Sequence, residues 1–257
     1  MSRHLGLWVT GRLRRGRPRA GLAAVAALAA AGAVMAVPGA AAAGTTTAAL
    51  GSTAYVTNSG TDTVTPINLA TNTAGTPIKV GPFPDGIAVT PNGATVYVVN
   101  SGNGTVTPIS TATNTAGTPI KVGSFPGAIA ITPNGATAYV TNQYKAALTP
   151  INLATSTAGT PIKAVGLGIA ITPDGATAYD TDGRVIIPIS TATNTRGTPI
   201  TTGGSITDGI AITPDGATAY VTDFESNTVI PVNLATSTAG TPITVGSAPD
   251  AIAIVGR

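Results

Sequence analysis

Cysteine is absent from all 257 residues. No disulfide framework, thiolate nucleophile or cysteine-ligated metal is therefore open to the chain. Histidine occurs once, at His4, and tryptophan once, at Trp8. Both fall in an N-terminal stretch that carries the marks of a removable segment. Without it, a Ser-His-Asp triad, a Cys-His pair and a His-ligated zinc or haem are all excluded. No glycine-rich run has the spacing of a phosphate-binding loop between a strand and a helix. Charge is also scarce, at 9% of residues, and aromatics make up 4%. Disorder needs low hydrophobicity together with high net charge. Here 43% of residues are apolar and regularly spaced, so a folded chain is expected. The groups left for chemistry are carboxylates, hydroxyls, amides and a few cations, which suit hard cations or sugars better than acyl transfer.

The first 43 residues read as an export signal. Arg3, Arg12, Arg14, Arg15, Arg17 and Arg19 precede the uncharged run "GLAAVAALAAAGAVMAV" and the small-residue stretch "PGAAAAG". A basic region, an apolar region and an A-x-A-like site in that order predict cleavage after Ala43. The alternative is a retained anchor, for which ~17–25 apolar residues suffice. Arg14-Arg15 resembles a twin-arginine signal, but "RRGRPR" lacks the apolar residues usual after the pair, so general secretion and twin-arginine export both stand. Residues 44–50 then form a short linker and 51–257 the folded domain. Removal reverses the electrostatics: seven basic residues face ten acids, a net charge of −3, where the whole chain has +3. The overall pI of 9.4 thus belongs to the signal, and the rest lacks the basic footprint of a nucleic-acid binder. Mass spectrometry of the exported protein should show a new N-terminus at about Gly44. An intact arginine-rich segment outside the cell would overturn this reading.

Beyond the signal the chain repeats itself. Tyr55, Tyr97, Tyr139, Tyr179 and Tyr220 stand at spacings of 42, 42, 40 and 41, periods typical of solenoids and propellers. Within one unit, "GIAVTPNGATVYVVN" (86–100) sets β-branched and aromatic residues on both sides of a Pro-Asn-Gly turn, a hairpin signal. "TVTPIS" (105–110), a turn-rich stretch and "TPIKV" (118–122) complete four short strands. Proline and glycine recur too often for helical repeats of this length. The expected fold is all-β, a propeller of five four-stranded blades. Ile87 and Val89 point to one face and the small Ala88 to the other, as a sheet packed on both sides requires. Lys79, Lys121 and Lys163 are expected to guard the outer edge. Pro66, Pro108, Pro150, Pro188 and Pro231 fall in third strands, where a missing N–H predicts a bulge.

The phrases "AYVTN" (54–58), "VYVVN", "AYVTN", "AYDTD" and "AYVTD", with "GIAITPDGATAY", resemble the YVTN β-propeller repeat family over essentially all of 51–255. That resemblance implies a propeller in a secreted or surface-layer-type protein and no single activity. Members are expected to have about seven blades, whereas five are present here. With the signal removed, the chain is expected to start with a second strand ("STAYVTN") and end with a first strand ("DAIAIVGR"). The two ends are therefore expected to share one blade and close a monomeric ring, which would remove edges and tie down both termini.

Comparison among the five copies selects candidate site residues. The first-to-second-strand turns hardly vary: "TPNGA" twice and "TPDGA" twice. The second-to-third-strand loops differ: "NSGTD", "NSGNG", "NQYKA", "DGR" and "DFESN". Tyr144, Lys145, Arg184, Phe224 and Glu225 lie in them and form the candidate ligand face, although exposed loops also drift without function. Asp85, Asp208 and Asp250 precede first strands and would rim a central channel. They could hold a hard cation such as Ca2+, or simply cap turns. Asp180 replaces the valines of the other copies; a buried carboxylate needs a partner, and Arg184 is the expected one, with a metal as the alternative. These features predict a secreted binding or scaffold module at the cell envelope with an extracellular ligand, glycan or protein. The competing expectation is a metal-dependent hydrolase or lactonase with its cation in the channel, which rests on fold-level analogy. A third is a structural wall component that self-associates without a small ligand.

Overall fold

A computed structural model describes residues 52–164 and 166–255. The expected signal (1–43) and linker (44–50) lie outside the described residues. Five antiparallel sheets follow one another along the chain. The first contains β1 (Thr53–Asn58), β2 (Thr63–Asn68) and an outer strand in two pieces, β3 (Thr73–Ala74) and β4 (Ile78–Lys79). The second has an added first strand: β5 (Pro84–Val89), β6 (Thr95–Asn100), β7 (Thr105–Ser110), β8 (Thr115–Ala116) and β9 (Ile120–Lys121). The third, fourth and fifth sheets begin at Pro126, Ile169 and Thr207 and repeat this plan. Among the described residues, no helix is long and apolar enough to cross a membrane.

The recurrent proline finds its place by displacing the outer strand. β6 and β7 pair without interruption, with Tyr97 opposite Pro108, so the bulge expected in the third strand is absent. On the other side, β8 pairs with Ile109 and Ser110 while β9 pairs with Thr105 and Val106. The chain between them loops outward, and Gly117 N–H donates to Pro108 O at 2.7 Å. No ladder partner faces the missing proline N–H, so the residue costs no hydrogen bond. The register does shift in first strands, between Pro84 and Ile87 and at the matching points of the third and fifth sheets.

The core lies between successive sheets rather than within one. Tyr55, Val64 and Ile78 of the first pack against Val96, Val98 and Ile109 of the second. The same pattern recurs at each later step. The repeated tyrosine is thus a wedge between units. Its hydroxyl reaches the next unit's outer turn, as in Tyr55 Oη to Asn114 Oδ1 at 2.7 Å and Tyr139 Oη to Asn194 Oδ1 at 2.6 Å. Burial raises the pKa of both phenols. A second lock is nearer the first strands. Thr57, Thr181 and Thr222 donate to the carbonyls of Asp85, Asp208 and Asp250 in the following unit.

The expected ring closure is not found. Residues 251–255 form no strand, and β1 pairs only with β2. The C-terminal segment instead sits against the fifth sheet, where the first strand of a following unit would lie, with Asp250 O close to Gly209. The lock between neighbours explains this: Thr222 holds Asp250 on the fifth sheet.

Candidate functional site

The two ends of the sheets differ chemically. At one end, each Thr-Pro-Asn/Asp-Gly-Ala turn ties itself shut. Asn92, Asn134, Asp174 and Asp215 accept from the hydroxyl two residues earlier and from the amide two residues later. The Thr172 hydroxyl, then the Ala176 amide, lower the pKa of Asp174, and the corresponding pair lowers that of Asp215. Pro91 and Pro133 pack on Gly135 and Gly175 of the next unit's turn. This end is uniform because it is structural.

The opposite end carries the variable loops, and short backbone links join them in pairs. Ser101 N–H donates to Phe83 O, Gln143 N–H to Phe125 O and Phe224 N–H to Ile206 O. The loop entering each first strand therefore lies beside the loop leaving each second strand. Tyr144 and Lys145 project from a single 3-10 turn, Gln143–Lys145, and Tyr144 is 78% exposed. Arg184 occupies an exposed two-residue hairpin with Gly183 at φ +58°, where glycine meets the turn's demand for a positive φ. Phe224 is half-buried and Glu225 exposed in the fifth unit's loop. All five candidate ligand residues thus belong to one end.

Sequence comparison missed two residues there. Phe83 and Phe125 are 62% and 61% exposed, and the Phe125 ring lies 5.9 Å from that of Tyr144. Both hold φ at +51°, a left-handed conformation costly for a bulky side chain. Ala248 occupies the matching position of the last copy with φ +55°, so the backbone does not require an aromatic. The signal was present: two of only three phenylalanines in the chain occupy equivalent places in "PFPD" and "SFPG".

Asp85 and Asp208 are half-buried and Asp250 is exposed. Each belongs to a different unit and holds the preceding one through its carbonyl. Among the described residues, no three Asp, Glu, His or Cys side chains gather as metal ligands would.

Asp180 is fully buried, opposite Ile169 and Ile187. It forms no ion pair with Arg184, which corrects the expected pairing. The two-residue hairpin turns Arg184 outward into solvent. Neither carboxyl oxygen completes a hydrogen bond in geometry, although the Gly166 amide is near enough to favour the charged form in part. Burial first, then the neighbouring Asp182, pushes the Asp180 pKa up to about 8, against the smaller opposing effects of Gly166 and Arg196. Asp223 goes the other way. Burial would raise it, but the amides of Ser205, Ser226 and Ile206 donate to it and leave it lowered.

Two grooves, of about 530 and 700 Å³, lie between outer strands of the first and second units and of the fourth and fifth. Threonine, proline and glycine dominate their walls, and the variable loops contribute nothing to them.

No protein-family model matches the chain, and no curated protein does. Among solved structures, hydrazine synthase of Kuenenia stuttgartiensis is similar with a TM-score of 0.58 and 17% identity, over 77% of this chain and 85% of that one. A functionally unknown protein from Desulfotomaculum acetoxidans is similar with a TM-score of 0.64 and 20% identity, over 75% of this chain and 65% of that one. Both are multi-blade all-β repeat folds, compatible with a β-propeller. At these identities the likeness concerns fold alone.

Proposed function

We propose that this chain is a secreted propeller-type repeat protein of the YVTN kind, acting at the cell envelope as a binding module for a glycan or an extended peptide. One observation carries the reading. The domain has nine aromatic residues; five are the repeated tyrosines, and the other four, Phe83, Phe125, Tyr144 and Phe224, all stand at the variable end. Folding does not need them there. Three are strongly exposed, and two occupy strained backbone positions. Aromatic faces with Lys145, Arg184 and Glu225 nearby offer stacking surfaces and directional polar partners, as sugars and peptides require.

Replacing Phe83, Phe125 and Tyr144 together by alanine is expected to weaken retention on purified cell-wall polysaccharide, peptidoglycan or a binding peptide by about tenfold or more, at ~0.5–1.5 kcal/mol per aromatic contact. The melting temperature should be nearly unchanged, because all three side chains face solvent. Binding that survives this change but is lost on altering Asn92 and Asn134 would place the site at the other end.

A further inference from the structure

The two ends of the array display opposite halves of the interface that the chain uses internally. At each internal step, one face supplies a tyrosine and two or three aliphatic residues from the third and outer strands, and the next sheet covers them. Ile78, Ile120, Ile162 and Ile200 are accordingly 8%, 6%, 8% and 5% exposed. Their counterpart in the fifth unit, Ile243, is 49% exposed, and Val245 beside it 38%. Among the described residues, no sheet covers this tail face. The complementary face shows the same deficit at the other end. Val98, Val140 and Val221 are fully buried, whereas Val56 of β1 is only half-buried.

Backbone pairing is incomplete at the same two places. β1 lacks the first-strand neighbour that β6 and the second strands of the later sheets possess. Residues 250–255, "DAIAIV", repeat the phrase of those first strands without pairing to a second strand. The recurring register sets Ile87 opposite Val98, Ala88 opposite Tyr97 and Val89 opposite Val96; Ile129, Ala130 and Ile131 pair likewise. Transferred to the free partners, it sets Ile252 opposite Val56, Ala253 opposite Tyr55 and Ile254 opposite Ala54. Among the described residues, five units stacked through the same tyrosine-and-aliphatic interface leave the two end faces uncovered.

We propose that the free tail of one copy docks on the free head of a second copy, donating residues 251–255 as the missing first strand beside β1. The partner is a copy of this chain, because the surface each end lacks is the one the other end presents. An exposed strand edge accepts such a strand readily. A head-to-tail contact of this kind does not close on a two-fold axis, so it propagates into a ring or filament of copies. The inference does not depend on the ligand proposed above, since the variable loops lie at the strand ends and not on the sheet faces.

Sedimentation of the exported protein should show mass that grows with concentration. Val56→Lys places a charge on the head, and Ile243→Lys places one on the tail. Each variant alone should remain a single copy, with circular dichroism and melting temperature close to those of the dilute parent, as both positions are solvent-accessible in one copy. Mixed in equal amounts, they should form a dimer and nothing larger, because one retains a working tail and the other a working head. Deleting 249–257 should remove the tail as Ile243→Lys does. A parent protein that stays monomeric at every concentration would overturn the proposal, as would variants that fail to pair on mixing. A monomeric parent that melts far lower once Ile243 becomes lysine would point instead to closure within one chain.

Discussion

Asp180→Val is expected to raise the melting temperature by about 10 °C at pH 8 and by less than half of that at pH 5. The folded protein holds the Asp180 proton up to about pH 8, whereas the unfolded chain releases it near the ordinary value of 3.8. Between those limits the folded state binds more protons, so stability falls as pH rises through the window and is fully restored below it. At ~1.4 kcal/mol per unit, the penalty at pH 8 is roughly 5 kcal/mol, and a protein of this size gains about 2–4 °C per kcal/mol. Valine removes the ionisable group and restores the residue that the other four copies place there. Asp180→Asn should abolish the pH slope with a smaller gain, because the amide still needs partners. Thermal melts at both pH values decide the matter; equal gains at pH 5 and pH 8 would show that Asp180 is not the titrating group.

A second large effect is expected from a change of one methyl group. Cβ atoms added at Gly86, Gly168 or Gly209 would run into the next unit's backbone, at the carbonyls of Gly127, Asp208 and Asp250 respectively. Backbone cannot rotate away as a flexible side chain does, so relief requires the two sheets to separate. Gly86→Ala and Gly168→Ala are expected to cost about 3 kcal/mol or more, at the upper end of overpacking effects. Gly60 has nothing within 4 Å of its added Cβ and no positive φ, so Gly60→Ala should stay within ~0.5 kcal/mol of the parent. Urea denaturation of the three variants gives the comparison. Similar midpoints for all three would mean that the units are not in backbone contact.

Those glycines show what the repeats made legible and what they hid. The alternation around each TPNGA turn and the recurrence of tyrosine led directly to antiparallel sheets of the right number and order. The sequence pattern set the small Ala88 on one face of its strand and gave no sign of which neighbouring position meets the next unit. The close backbone approach between units falls at Gly86, Gly168 and Gly209, because a carbonyl of the next unit points at each. The proline bulge was misplaced for a related reason. A single strand read alone shows only a missing donor, and the outer strand that loops away from it is a property of the sheet. At the variable end, unequal loops singled out Tyr144 and Phe224. Phe83 and Phe125 escaped because copy-to-copy comparison rewards difference, and these two copies agree. Asp180 stood out as a broken pattern, yet its surroundings depend on the strands that flank it, at Ile169 and Ile187, and adjacency in sequence wrongly suggested Arg184.

Each unit grips only its neighbours, by a tyrosine wedge at every step and a threonine lock or glycine seat at several, all recurring at about the same spacing in the gene. Recombination between the segments encoding Tyr97 and Tyr139 would excise 42 residues and join two half-interfaces that already fit. Slippage in the other direction would add a unit just as smoothly. The number of units is thereby free to change by whole steps during descent without passing through a misfolded intermediate, and each unit's loops are lost or copied with it. The near-identity of "YVTNSGTDTVTPI" and "YVVNSGNGTVTPI" is the record that such copying would leave.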